Sequence, residues 1–234
     1  MSDRRPTAQP EALSGDIEVL GLLPGSSNYT FLAQLPDGVL VVYKPRKGET
    51  PLWDFPGGTL CRREAAAFLL SRDAGWDHVP PTILRDGPLG EGAVQLFVDH
   101  DPSVTAFDLL STHLQDLRSI ALFDVVANNA DRKAGHVLVD RQGLLWGIDH
   151  GLCFHAEPKL RTVLWHFVGE PLSEQEVRHV VRLRDALESE AAGGLSELLS
   201  PEEVQALAVR AEQLLDAAVF PEPGPGRPIP WPPI

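Results

Sequence analysis

Cysteine is scarce in this sequence, and its scarcity excludes several kinds of protein. Cys61 and Cys153 are the two cysteines among 234 residues, and they lie far apart in the chain without CxxC spacing. A disulfide-stapled domain or a cysteine-based zinc site would need more cysteines at closer spacing. We interpret both as reduced thiols of a cytoplasmic protein.

Long apolar runs are also missing. No stretch of about 18 apolar residues, the length of a membrane-spanning helix, occurs in the sequence. The N-terminal sequence MSDRRPTAQPEALSGD has no apolar core of the kind found in secretory signal peptides. We therefore expect no membrane span and a cytoplasmic location.

Positive charge is the third shortage. The chain carries 20 lysines and arginines against 33 aspartates and glutamates, which gives a formal net charge of −13. An acidic surface repels nucleic-acid phosphates and anionic lipid headgroups. We expect no nucleic-acid partner, although a local basic patch is compatible with the total charge.

Apolar residues make up 43% of the chain, enough for a globular core, and the pattern changes near residue 100. Before that point, runs rich in β-branched residues predict strands, with one helix at 60–72 that Thr59 would cap. The predicted strands are 16–23, 31–35, 39–44, 79–84 and 93–98. After residue 100, apolar residues at helical spacing predict helices, interrupted by a hairpin of strands at 136–140 and 144–149.

This order of elements predicts an α+β fold with two lobes. A small β-rich N-lobe would occupy residues 15–100, and a mainly helical C-lobe residues 101–220. A flexible tail at 1–14 would precede them. A proline-rich tail at 221–234 would follow, either packed as extended polyproline or mobile.

Lys44 ends the apolar strand VLVVYK. A lysine at a strand end commonly meets solvent, and a glutamate on a helix is commonly solvated too. A strand lysine held by a helix glutamate is, however, the arrangement that positions nucleotide phosphates in kinases. Glu64, on the next predicted helix, could be that partner.

Polar residues crowd between an apolar helix and an apolar strand in NNADRKAGHVLVD, residues 128–140. This could be a plain solvated loop, but it also holds the groups that phosphoryl transfer requires. Asp131 could orient or deprotonate an acceptor hydroxyl, and Lys133 could neutralise charge on the transferred phosphoryl group. Asn128, Asn129 and His136 could fix the loop or contact a metal.

Asp149 follows a predicted strand in GIDHG, residues 147–151. An aspartate here could simply form a turn, or it could bind a Mg²⁺ ion that bridges nucleotide phosphates. Lys44, Glu64, Asp131 and Asp149 occur in the order in which kinases use such residues. This order favours a kinase-like fold.

The motifs together resemble a known superfamily. The segments VVYKPRKGETP, REAAAFLL, HVPPTIL, NNADRKAGHVLV and WGIDHGLCF are similar to those of phosphatidylinositol 3- and 4-kinases. Within the superfamily, the chain is most similar to the type II phosphatidylinositol 4-kinase-like branch, and the toxin kinase HipA shares the distant pattern. More specifically, the chain resembles a family of short actinobacterial proteins. The resemblance extends over roughly residues 16–170 and implies a two-lobed atypical protein-kinase-like fold.

The resemblance assigns roles at matching positions. It implies that Lys44 binds phosphate with Glu64 as its partner, that Asp131 is the catalytic aspartate, and that Asp149 binds metal. It also implies nucleotide contacts from Val42, Ser26, Ser27, Gln95, Phe97 and Val98. The implied cofactors are ATP and Mg²⁺ or Mn²⁺.

His136 departs from the pattern of the superfamily, which places a metal-binding asparagine there. A neutral imidazole can bind a metal, but it suits softer ions than Mg²⁺. His136 could therefore bind Mn²⁺ or another metal, a single Mg²⁺ at Asp149 could suffice, or the chain could bind nucleotide without turnover. His150 also replaces the usual phenylalanine.

We expect an ATP-dependent phosphotransferase that acts on an unidentified protein or small molecule. The alternative is a pseudokinase that binds nucleotide and regulates a partner. Phosphoinositide kinase activity and AMP transfer are further alternatives on the same fold. The sequence also allows a structural zinc site, independent of ATP, formed from His136, His150, Cys153 and His155.

Overall fold

An antiparallel sheet forms the N-terminal half of the structure. The computed structural model describes residues 10–25, 27–189 and 193–234. The sheet has five strands in the order β1-β2-β3-β5-β4. They are β1 (Glu18–Leu22), β2 (Phe31–Gln34), β3 (Leu40–Pro45), β4 (Thr82–Gly87) and β5 (Gly90–Leu96). All five strands were predicted, with end shifts of a few residues.

Strand β3 divides its side chains between two faces. Val41 and Tyr43 are fully buried in a small apolar core on one face, so the alternation of a strand places Val42 and Lys44 on the other. Gly92 of β5 lies opposite this point, and an added Cβ would come within 2.6 Å of the Lys44 carbonyl oxygen. Only glycine lets β5 approach β3 so closely beside Lys44.

The helix α1 (Leu60–Asp73) packs on the sheet and leads into a mainly helical half. The helices that follow are α2 (Ala106–Leu109), α3 (Leu114–Ala127), α4 (Glu174–Glu188), α5 (Gly193–Leu198) and α6 (Pro201–Ala217). A short hairpin, β6 (Val137–Val139) with β7 (Leu145–Gly147), lies between α3 and α4. Helices α4 and α6 begin with Ser-x-x-Glu capping boxes, which satisfy backbone N–H groups at the helix start. The large core of this half contains α3, most of whose side chains from Leu117 onward are buried.

Each predicted tail, where described, has a buried residue that packs against the rest of the chain. Pro10–Leu13 form a 3₁₀ turn, and Leu13 is fully buried in the core of the sheet. At the other end, Pro230 is buried. Thr59 stands at the predicted start of α1, but its hydroxyl donates to the Pro56 carbonyl oxygen instead of capping the helix.

The predicted α+β fold is confirmed, with a β-rich part that precedes a mainly helical part. None of the helices in the described ranges has the length and apolar character needed to cross a membrane.

Candidate active site

A cavity of about 130 Å³ opens between the sheet and the helical part. It is lined by Ser27, Lys44, Glu64, Asp131 and Asp149, among others. Residues that lie more than 100 positions apart in the sequence therefore meet in one cleft. Ser26 lies outside the described residues.

Lys44 is the centre of an ion-pair cluster. Its Nζ donates to Glu64 Oε1 and, at 3.1 Å, to Asp149 Oδ1. Burial alone would lower the pKa of Lys44, but the carboxylates of Asp149 and Glu64 outweigh burial and raise it. Lys44 therefore stays charged, as a lysine that binds phosphate must.

Glu64 uses both carboxylate oxygens. The second oxygen accepts a hydrogen bond from the backbone N–H of His150 at 3.1 Å. Burial raises the pKa of Glu64 against the opposing effect of Lys44. Helix α1 is thereby joined at one side chain to β3 and to the turn that carries Asp149.

Asp149 sits in a turn directly after β7. Its φ is 59°, in the left-handed region that aspartate tolerates better than most residues. Its side chain remains 47% exposed, so the carboxylate is accessible from the cleft. The positive charge of Lys44 holds the pKa of Asp149 far below its usual range, which keeps the carboxylate ionised.

The loop at residues 128–136, here called the Asp131 loop, is fixed at its start by asparagine. Helix α3 ends at Asn128, which adopts φ 52°. Asn129 donates from Nδ2 to Asp124 Oδ1 at 2.9 Å, and its Oδ1 accepts the Asp131 N–H at 3.0 Å. The Asp131 backbone is therefore set by a side chain that is itself anchored on α3.

The Asp131 carboxylate lies 3.5 Å from Lys133 Nζ. Burial raises the pKa of Asp131, and Lys133 partly opposes this effect. A carboxylate with a raised pKa is a better proton acceptor at neutral pH than an ordinary surface aspartate.

The buried role of Arg132 was not predicted from the sequence, which indicated only a polar loop residue. It is fully buried and pairs with Asp124 of α3, which is buried as well. Its Nη1 donates to the carbonyl oxygens of His136 at 3.2 Å and Ile148 at 2.8 Å, and its Nη2 lies 2.8 Å from His150 Nε2. One guanidinium group thus joins α3, the Asp131 loop and the Asp149 turn. The sequence signal for it was Asp124, a lone carboxylate on an otherwise apolar stretch of helix.

His136 contacts Asp149 directly. Its Nδ1 accepts the Lys133 N–H at 3.4 Å, so the neutral ring carries its proton on Nε2. That nitrogen lies 3.2 Å from Asp149 Oδ2. Burial lowers the pKa of His136 to about 4. In this arrangement His136 is a hydrogen-bond donor to Asp149, and its predicted role as a metal ligand would require the proton to leave Nε2.

The described residues contain no group of three or more histidine, cysteine or acidic side chains placed to hold a metal ion. The zinc site considered from the sequence is therefore not formed. Both of its buried candidates have other surroundings, because His150 contacts Arg132 and Cys153 lies in the apolar core.

The residues predicted to contact adenine are only partly brought to the cleft. Val42 shares the Lys44 face of β3, whereas Phe97 and Val98 line a separate cavity of about 170 Å³. Gln95 is buried inside the sheet and donates to Thr82 Oγ1 at 2.8 Å. These adenine contacts remain predictions.

Comparison with known proteins identifies the relatives of this chain. A family model described as phosphatidylinositol 3- and 4-kinase matches residues 85–192, which include Asp131 and Asp149. Protein Rv2133c of Mycobacterium tuberculosis (strain ATCC 25618 / H37Rv) is 43% identical over 256 aligned positions, which cover 93% of this chain and 92% of that protein. Phosphatidylinositol 4-kinase gamma 4 of Oryza sativa subsp. japonica is 34% identical over 140 residues, half of this chain but 25% of the plant protein.

Among solved structures, the Golgi casein kinase with Mn/ADP bound superposes with a TM-score of 0.57 at 14% identity. The match covers 89% of this chain and 74% of that chain. At this identity the match shows a shared fold and nothing finer. The two-lobed atypical kinase-like fold is thereby confirmed.

Proposed function

Because this chain belongs to the same family as the mycobacterial protein, within the phosphatidylinositol 3- and 4-kinase-like superfamily, we propose that it is an ATP-dependent phosphotransferase. The observation that carries the proposal is the ion-pair cluster in the cleft. A lysine on β3 is held between a glutamate on α1 and an aspartate after β7, and the Asp131 loop faces the same cavity. The acceptor is a protein or a small molecule with a free hydroxyl group.

The nucleotide would bind with its phosphates at Lys44. Glu64 holds the ammonium group in place, and Ser27 lines the same cavity. Val42 lies on the strand face that would meet the base. Gln95, Phe97 and Val98 remain the positions proposed for adenine contacts. These contacts would require the cavity lined by Phe97 and Val98 to join the Lys44 cleft and the Gln95 side chain to leave Thr82.

The donor set of the cleft fits a hard divalent cation. Asp149 offers an ionised, accessible carboxylate, the type of ligand that Mg²⁺ and Mn²⁺ prefer. When bound, the cation would neutralise the charge of the phosphates. His136 would either bind it as well, after its proton moves to Nδ1 and the hydrogen bond from the Lys133 N–H is broken, or hold the Asp149 carboxylate in orientation as it does here.

The transfer itself needs a proton acceptor and a charge partner. Asp131 would orient the acceptor hydroxyl and take its proton as the new oxygen–phosphorus bond forms and the bond between the γ-phosphorus and the bridging oxygen breaks. Lys133 would stabilise the charge on the transferred phosphoryl group. ADP and the phosphorylated acceptor are the products.

A second candidate function is supported by His136. Its Nε2–H points at Asp149 Oδ2, so the histidine occupies the carboxylate edge on which a second cation would act. A pseudokinase that binds ATP without turnover would be compatible with this contact.

Since both cysteines are buried and unpaired, we place either form of the protein in the reducing cytoplasm.

The test is transfer of label from γ-³²P-ATP, with Mg²⁺ or Mn²⁺, to the protein itself and to protein and small-molecule pools. Asp131→Asn and Asp149→Asn should abolish transfer, whereas Asp216→Asn, an exposed site on α6, should not change it. Label from α-³²P-ATP would indicate AMP transfer instead, and labelled inositol lipid would indicate a phosphoinositide kinase. ATP binding without transfer in every pool would favour the pseudokinase.

A further inference from the structure

The proline-rich C-terminal segment is bonded to the Asp131 loop. The carbonyl oxygen of Pro233 accepts the Ala134 N–H at 2.8 Å. Ala134 is fully buried, lies next to Lys133 and begins a 3₁₀ turn. The first N–H groups of such a turn have no partner within it. The C-terminal segment therefore supplies an acceptor that the loop lacks.

The same segment is hydrogen-bonded to the part of the chain that follows Asp149. The carbonyl oxygen of Pro228 accepts both the Thr162 N–H and the Trp165 Nε1–H, each at 3.0 Å. Pro230, between the two anchoring residues, is buried. We refer to residues 228–233 as the strap.

Residues 161–163 are hydrogen-bonded both to the strap and to the Asp131 loop. The Arg132 N–H donates to the Arg161 carbonyl oxygen at 3.0 Å, and the Val163 N–H donates to the Arg132 carbonyl oxygen at 3.1 Å. Thr162 also donates its hydroxyl to Asp124 at 3.4 Å. The strap thus lies against the same network that holds Arg132.

Proline suits this role for two physical reasons. It has no N–H group, so the four prolines of the strap bring carbonyl acceptors without adding donors that need partners. Its fixed φ also reduces the entropy lost when the segment is ordered. Arg227 stacks on the Trp231 ring at 5.2 Å, a contact within the segment that further restricts it.

We propose that the strap is a positioning element for phosphoryl transfer, which holds the Asp131 loop so that Asp131 and Lys133 reach the acceptor and the γ-phosphate. No strap residue lines the cavity that contains Lys44, so nucleotide binding does not depend on it. This inference rests on the proposed function, because positioning matters only if transfer occurs.

The experiment compares the full chain with a chain that ends at Gly226. In the shortened chain, amide hydrogen exchange at Ala134 and Thr162 should accelerate, and kcat should fall at least about tenfold, because several positioning contacts are lost together. The KM for ATP should stay within about twofold. Adding the peptide RPIPWPPI should restore both protection and rate, a result that a general loss of stability would not give.

A milder variant covers the case in which the shortened chain does not fold. Trp165→Phe keeps an aromatic ring but removes one donor to the strap, and kcat should fall about two- to tenfold with an unchanged KM for ATP. Glu222→Ala, exposed in the same proline-rich tail but outside the strap, is the control and should match the parent chain.

The outcomes separate the strap from the proposed function. Full turnover in both the shortened chain and Trp165→Phe would overturn the strap while leaving the kinase proposal intact. If the full chain transfers no label, the kinase proposal fails, and hydrogen exchange then tests only whether the strap holds the Asp131 loop. Unchanged exchange at Ala134 and Thr162 would then overturn it.

Discussion

Asp124→Asn tests the network beneath the Asp131 loop. The substitution keeps the shape of the side chain but removes the charge opposite Arg132, and both residues are fully buried. Asp124 accepts hydrogen bonds from Asn129, Arg132 and Thr162. An amide at this position would turn one of its acceptor oxygens into a donor that faces other donors.

The expected loss can be estimated from burial. Removing one partner of a buried ion pair costs about 3–5 kcal/mol, because the remaining charge stays unpaired. For a chain of this size each kcal/mol of lost stability lowers Tm by about 2–4 °C, so the Tm of Asp124→Asn should fall by on the order of 10 °C. Turnover should fall as well, since Arg132 bonds the His136 and Ile148 carbonyl groups.

The assay is thermal and urea unfolding followed by circular dichroism, with phosphoryl transfer measured in parallel at a temperature where both proteins are folded. Asp185→Asn is the matched control, because Asp185 also pairs with an arginine at 2.9 Å but is 59% exposed. Exposed pairs contribute little, so its midpoint should not move. If Asp124→Asn and Asp185→Asn had equal unfolding midpoints, the buried network around Arg132 could not be what holds the Asp131 loop.

Four further predictions concern the cleft itself. His136→Asn should raise the Mg²⁺-supported rate relative to the Mn²⁺-supported rate, because an amide oxygen suits Mg²⁺ better than an imidazole nitrogen; an unchanged ratio in steady-state assays would count against any metal contact at this position. Glu64→Gln should reduce turnover about ten- to a hundredfold, since it removes a charged hydrogen bond to Lys44, and a near-normal rate would contradict the proposed role of the pair. The pH profile of kcat/KM should rise through a pKa above the ordinary aspartate value of 3.8, because Asp131 must be ionised to accept a proton and burial raises its pKa. Lys133→Ala should move that inflection to higher pH, because Lys133 lowers the pKa of Asp131, and an inflection that stays in place would show that another group titrates.

Local pattern was enough to predict the elements that hold the candidate site. The apolar run at 39–44 became β3 and the helix at 60–72 became α1, because burial on one face leaves a periodic signature in the sequence. The order of Lys44, Glu64, Asp131 and Asp149 then indicated the cleft, and these side chains do meet in it.

Contacts set by tertiary packing were not predictable in this way. Arg132 lies in a polar run and looks solvated, yet it is fully buried, because its partner Asp124 comes from a helix whose packing the sequence does not specify. The strap has no periodicity at all, and its bonds come from carbonyl oxygens that every residue possesses. Gln95 fell at the expected position along β5, but its side chain turned to Thr82.

Kinases that respond to phosphorylation leave the segment after the metal-binding aspartate loose and order it when a signal arrives. Here that segment is tied by backbone hydrogen bonds to the Asp131 loop at Asn129 and Arg132. These hydrogen bonds already order this part of the segment without an added phosphate group. We therefore expect that, if the chain transfers phosphate as proposed, its rate does not depend on phosphorylation of this segment.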